Sequence, residues 1–341
     1  MLKAKDAVQR IGLIGAGFVI ALAVAEFVLR LGVLPATPFE RVIQGGRTAN
    51  PSRKILILGD SFLVHWETGK SLYELLVKGL EPEGAGILNT SEGGFGPLDY
   101  LTALRSYGPS YQPDVVLLFY YVGNDLTSIQ YRSDVWLWIK RYLKPWIMRL
   151  RLYYFFLERE EGWLRGRLNY EAARKGGVDR RTVDLARQRK INPWLLELGQ
   201  ERKNFLLDNL LVESSESERA WEKIKGLLGE TQGLCRKMGA RLMIVILPNT
   251  LQVNRSHLEF YQRLAFHVDE RTLISDKPQA LLREFCREQQ VPCLDLLPAF
   301  RAQREKEFFR ENDDHFNRDG NELAARLVLH FIEKEAVLRK G

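Results

Sequence analysis

A serine hydroxyl becomes a useful nucleophile when an imidazole takes its proton, a carboxylate orients that imidazole, and preorganised donors receive the charge that develops on the attacked oxygen. This chain holds all three kinds of group in a few short clusters: Gly59-Asp60-Ser61-Phe62, Asn89 with Gly93-Gly94-Phe95-Gly96, Gly123-Asn124-Asp125, Pro248-Asn249, and Asp313-Asp314-His315-Phe316-Asn317. Such chemistry is carried by protein groups throughout and calls for no metal and no organic cofactor. Cys235, Cys286 and Cys293 are too few for a disulfide framework and lack the paired spacing of a zinc site. They read as core residues, with a Cys286 to Cys293 bridge left open if the chain is exported.

Each cluster follows a segment that reads as a strand. Lys54-Ile55-Leu56-Ile57-Leu58 is an apolar run broken by Gly59, and residues 84–89 offer a second strand. The run from Asp114 to Tyr121, opened by Pro113 and closed by Gly123, is the strongest strand signal in the chain. Residues 241–247 and 291–296 complete five strands. Helical spacing covers 70–80, 98–107, 218–238, 278–290 and 319–338. This alternation predicts a mainly parallel, doubly wound five-stranded α/β sheet with helices on both faces. In such a sheet ligands bind at the carboxyl ends of the strands, where the chemical clusters fall. Ser61 would sit between strand and helix, with a helix N-terminus favouring developing negative charge.

The clusters, in order, resemble the four blocks of the SGNH (GDSL-like) serine hydrolases: Gly59-Asp60-Ser61 near the domain start, a Gly-aromatic-Gly turn at Gly94-Phe95-Gly96, Gly123-Asn124-Asp125 after a strand, and Asp-x-His near the C-terminus. The resemblance spans Lys54 to Leu338 and implies a flavodoxin-like sheet. It also implies Ser61 as nucleophile, His315 as general base, and an oxyanion hole from the Ser61 N–H, the Gly94 N–H and the Asn124 side-chain amide. The family often places its aspartate three residues before the histidine, where this chain has Asn312. Relatives of alginate O-acetylation proteins use Asp-x-His instead, which points to Asp313 as the orienting acid, with Asp314 the competitor.

Each residue also has a plainer reading. Gly-Asp-Ser alone is a common turn, Gly94 could serve only a positive φ, Asn124 could be a helix cap, and Asp125 reads as a cap rather than an acid. Of five histidines, His330 falls in a helical segment and His257 and His267 in the polar stretch after Asn249, leaving His65 as the competing base.

The composition, 45% hydrophobic and 27% charged, sets aside disordered and fibrous classes. A net charge of +7 fits nucleic acid, a membrane surface or an anionic polymer. No nucleic-acid module signature is present, and cations concentrate between Lys140 and Lys190 beside aromatic residues, so no nucleic-acid partner is expected. Residues 11–34 form an apolar stretch behind Lys3, Lys5 and Arg10, interrupted only by Glu26 and Arg30. They read as an uncleaved membrane anchor, with a cleaved signal peptide ending near Ala23-Val24-Ala25 as the rival.

The expected organisation is an anchor (1–34), a linker (35–52) and a hydrolase-like domain (53–338) with a helical insertion at about 126–217 whose breaks fall at Pro145 and Pro193. Aromatic and basic residues from Asp134 to Leu157 suit either a headgroup interface or a helix with a solvated basic face. The implied activity is ester hydrolysis or acyl transfer outside the cytoplasm, on an acylated small-molecule, glycan or lipid substrate. A noncatalytic glycan-binding protein on the same fold is the other class considered.

Overall fold

The computed structural model describes residues 2–33, 51–64, 71–157, 159 and 168–335. Five parallel strands, β1 (Arg53–Leu58), β2 (Ala85–Asn89), β3 (Val115–Tyr121), β4 (Arg241–Leu247) and β5 (Cys293–Asp295), form one sheet in the order β2-β1-β3-β4-β5. That is a doubly wound order, reversing direction between β1 and β3.

The strands are apolar on both faces because helices cover both. Leu56, Leu58, Val116, Leu118 and Tyr120 face one core, against Pro97–Tyr111 and Ser215–Lys237. Ile55, Ile57, Val115, Leu117 and Phe119 face the other, against Leu72–Leu80 and Arg318–Lys334. Start signals are local: Ser71 and Glu74 make a reciprocal capping box, and Asn317 accepts the Gly320 N–H at the head of the last helix.

Between β3 and β4 the described residues are mainly helical, and Pro145 and Pro193 each occupy the first turn of a new helix, where a missing N–H costs nothing. After β4 short helices appear in what read from the sequence as a polar stretch, at Thr250–Val253, His257–Arg263 and Glu270–Ile274. They are too short for a periodic signal. Their buried residues, Leu251, Phe260 and Tyr261 among them, join the first core.

Leu2–Val28 is a helix. Gly12–Gly32 is, among the described residues, the one stretch long and apolar enough to cross a membrane by length and composition. The 35–52 linker lies outside the described residues except for its last two, as do His65 and the end of the closing helix beyond Glu335. All three cysteines are free thiols, so the Cys286 to Cys293 bridge left open from the sequence is absent.

Candidate active site

At the end of β1, a Cβ on Gly59 would lie 3.0 Å from Leu63 Cδ2 and 3.2 Å from Ser91 Oγ, so a bare backbone suits the turn. Asp60 then accepts the Phe62 N–H through Oδ1 at 3.1 Å, and residues Ser61–Leu63 make a single 3₁₀ turn. This departs from the expected helix N-terminus: three residues carry no macrodipole, and the regular helix begins at Leu72 with its own cap. The turn is held from β2 by Asn89, whose Nδ2 donates to the Leu63 carbonyl at 2.9 Å.

His315 comes from the other end of the chain. Phe309 bridges Phe316, the Arg310 N–H donates to the His315 carbonyl, and Asn317 starts the last helix, fixing the histidine backbone from both sides. Its ring lies 5.0 Å from that of Phe62, which also packs on Tyr121 and Phe316. His315 Nε2 is 2.7 Å from Ser61 Oγ, and Nδ1 is 2.8 Å from Asp313 Oδ1. With Nδ1–H donated to the carboxylate, Nε2 presents a lone pair to the serine hydroxyl.

Asp314 Oδ1 stands 3.3 Å from the same Nδ1, while its Oδ2 accepts from the Tyr121 hydroxyl at 3.3 Å, itself the acceptor of Asn249 Nδ2. Asn192 Nδ2 donates to Asp313 Oδ1 at 3.2 Å and lies 3.4 Å from Asp314 Oδ1. The environments separate the two acids. Burial raises both, but the His315 charge and hydrogen bonds carry Asp313 well below the usual carboxylate range. In Asp314, burial joined by repulsion from Asp313 outweighs the histidine and leaves it well above that range. For His315 burial favours the neutral ring, yet the two aspartates more than offset it and push the imidazole up to about 9. Asp313, Asp314 and His315 offer possible metal ligands within 4.8 Å of one another, but a cation there would compete with the Nδ1–Asp313 contact.

The oxyanion candidates are placed less directly. Gly94 is exposed at φ +71°, a left-handed position that favours glycine, with open space where a Cβ would be. Asn124 is not a helix cap by its side chain; its Nδ2 donates to Asp60 Oδ2 at 3.2 Å, which accounts for one of its two amide hydrogens. Asp60 is fully buried and pushed up to about 6 chiefly by that burial. Asp125 is neither cap nor acid at the serine: buried, it accepts from the Tyr100 hydroxyl and the Tyr121 N–H and holds the turn after β3. Among the other histidines, His257 is buried in a helix with Nε2 3.5 Å from Glu307, and His267 and His330 are exposed. Three positioning residues escaped the sequence reading: Asn192 and Tyr121 around the aspartates, and Glu92 in the Gly94 turn. Nothing local marks a lone asparagine before a proline, or a tyrosine inside an apolar strand, as part of a distant site.

A parallel sheet of this order, with a serine turn after β1 and an Asp-x-His before the last helix, is the arrangement that the resemblance to the SGNH hydrolases implies. Residues 203–340 match the family model described as the SGNH hydrolase-like domain of the acetyltransferase AlgX, a stretch that includes β4, β5 and the Asp-x-His cluster. No curated protein matches. Among solved structures, the lipase/acylhydrolase from Enterococcus faecalis is 14% identical, covering 83% of this chain and 96% of its own, with a TM-score of 0.41. A catalytic mutant of an acetylxylan esterase from Geobacillus stearothermophilus is 12% identical, covering 84% and 96%, with a TM-score of 0.45. Likeness so distant says nothing of substrate.

Proposed function

We propose that this protein is a membrane-tethered serine esterase that cleaves O-acyl, in particular O-acetyl, esters. The observation that carries the reading is the hydrogen-bonded row Ser61 Oγ, His315 Nε2, His315 Nδ1 and Asp313 Oδ1, with separations of 2.7 and 2.8 Å. His315 Nε2 takes the hydroxyl proton as Ser61 Oγ bonds to the acyl carbon. The carbonyl oxygen, now negative, is received by the Ser61 and Gly94 N–H groups and the Asn124 amide. Collapse expels the alcohol, which leaves with the proton held on Nε2, and the acyl group stays on Ser61. Water, deprotonated by the same nitrogen, then releases the acid. Asp313 keeps Nδ1 protonated and favours the imidazolium as it forms.

A second reading replaces that water by a sugar hydroxyl, giving an O-acetyltransferase; the AlgX domain match over residues 203–340 favours it. Both readings require an activated Ser61. Labelling of the full-length protein by a fluorophosphonate, absent in Ser61→Ala, is the expected result, and equal labelling of both proteins rules the serine mechanism out. Release of p-nitrophenol from p-nitrophenyl acetate, with and without an added oligosaccharide, separates the two readings. Acetate appears in the first and acetylated sugar in the second. The Gly12–Gly32 helix is read as the tether, with the site outside the cytoplasm and acylated envelope glycans or lipids as the substrate class.

A further inference from the structure

The end of the N-terminal helix is bound to the helices that follow β3. Glu26, the carboxylate that interrupts the apolar stretch, accepts the Arg151 and Leu152 N–H groups at 3.1 and 2.9 Å, capping the Arg151–Leu157 helix from another part of the chain. Arg151 is buried and donates to the Leu29 carbonyl at 3.0 Å, and Arg30 reaches the Arg149 carbonyl. Beside this junction the Asp134–Tyr142 and Lys144–Ile147 helices have no buried residue. Their large apolar groups face outward: Val135 is 70% exposed, Trp138 55% and Trp146 66%, with Trp136, Leu143 and Ile147 also exposed.

The cations of this segment do not form the solvated or headgroup-directed face that the sequence suggested. Lys140 and Lys144 each place Nζ 2.8 Å from buried Asp99, Arg141 pairs with Glu230 at 2.6 Å, and the Arg149 guanidinium lies 4.8 Å over the Trp146 ring. What remains outside is an aromatic and aliphatic surface, the composition that partitions into the region between headgroups and acyl chains. Its continuity with the end of a candidate membrane span names the occupant.

We infer that the end of the N-terminal helix and the outward face of residues 135–147 form one surface seated in the lipid bilayer interface, by apolar partition rather than by attraction to anionic lipid. The surface reaches the Ser61 site. Tyr153, in the capped helix, donates to Glu92 at 2.6 Å, and Lys144 lies 4.1 Å over the Phe95 ring, so the Glu92–Phe95 turn that carries Gly94 rests on the seated helices. The cleft is thereby held at headgroup level, where an acyl ester carried by a lipid or a membrane-proximal glycan would be presented. The inference rests on the N-terminal helix being embedded and not on the chemistry of Ser61.

The test uses the full-length protein in phosphatidylcholine nanodiscs made with or without brominated acyl chains, which quench nearby tryptophan. The N-terminal helix contains no tryptophan, so quenching reports on the folded part alone. Trp136, Trp138 and Trp146 should supply the quenched part of the emission, which should disappear in the triple variant Trp136→Phe/Trp138→Phe/Trp146→Phe. It should also persist in high salt and need no anionic lipid. Protein that stays in the nanodisc yet shows no quenching, or quenches equally in the triple variant, overturns the seating while leaving the anchor intact. Quenching that needs phosphatidylserine and vanishes in salt overturns the apolar mode. Protein not retained in the nanodisc removes the anchor and the seating together.

Discussion

Asp313 and Asp314 stand within 3.3 Å of the same imidazole nitrogen, and substituting each by asparagine separates orientation from charge. With His315 pushed up to about 9 by the two carboxylates against the effect of burial, roughly 1% of the imidazole is neutral at pH 7. A base must be neutral to accept the Ser61 proton, so kcat/KM for p-nitrophenyl acetate should rise about tenfold per pH unit and level off only near pH 9. Asp313→Asn removes the acceptor that holds Nδ1–H and offers an amide that stabilises the wrong tautomer. The same exchange of the orienting aspartate in a serine protease triad costs about 10⁴-fold in kcat, and a loss of that order is expected here. Asp314→Asn leaves the 2.8 Å Asp313 contact in place and removes one charge that raises the imidazole. Its acid limb should move down by about one unit, worth about 1.4 kcal/mol, so that activity at pH 7 is kept or increased. The measurement is a pH–rate profile of all three proteins, corrected with Ser61→Ala, in which the limb reports the coupled cluster as a whole. Equal losses in both variants, or a limb that stays in place in Asp314→Asn, refute the division of roles.

Asn192→Ala deletes the amide that holds the Asp313 carboxylate from the far side; kcat should fall about tenfold with KM little changed, the size expected for one hydrogen bond to a charged group. Asp99→Ala leaves Lys140 and Lys144 both largely buried without their carboxylate, and urea unfolding should show a loss of about 3–5 kcal/mol. The same contacts hold Asp99 down at about 2, so their stabilisation is complete above the ordinary carboxylate value of 3.8 and is lost as pH falls through about 2. Asn312 has φ +59°, so Asn312→Ala should cost about 1–2 kcal/mol in thermal unfolding, while Asn312→Gly should be close to neutral.

How much was legible in the sequence followed the range of the forces involved. Apolar runs of a doubly covered sheet are local, and β1, β3 and β4 fall within a residue of the expected limits. Gly94 was marked as a position that could need a positive φ, and its φ is +71°; at Gly123, marked only as the end of a strand, a Cβ would meet the Tyr121 ring at 2.3 Å. What depends on side chains meeting across tens of residues or more, with no motif to mark them, was not legible. Asn192 appears as a plain helix cap before Pro193, yet the same side chain reaches the aspartates. Lys140 and Lys144 look like a solvated basic face because nothing nearby in sequence shows that Asp99 lies under both.

Position 312 shows the two kinds of information meeting. Many proteins of this kind have an aspartate three residues before the histidine, and the asparagine here could be taken as loss of the acid. Its backbone is left-handed, a conformation that asparagine tolerates better than most residues because its short side chain can bond locally. With the chain turned at that residue, the next one, Asp313, brings Oδ1 to 2.8 Å from His315 Nδ1 while also accepting the Asp314 N–H. In the proposed mechanism the acid is displaced by one residue rather than lost. Two consecutive carboxylates therefore face one imidazole, and burial, joined by repulsion from Asp313, holds Asp314 up to about 7 while Asp313 ionises far below it. A single aspartate three residues away would give the histidine one negative neighbour. Above about pH 7, where Asp314 ionises in turn, this arrangement gives it two, and a base poised unusually high is what the pH profile should reveal.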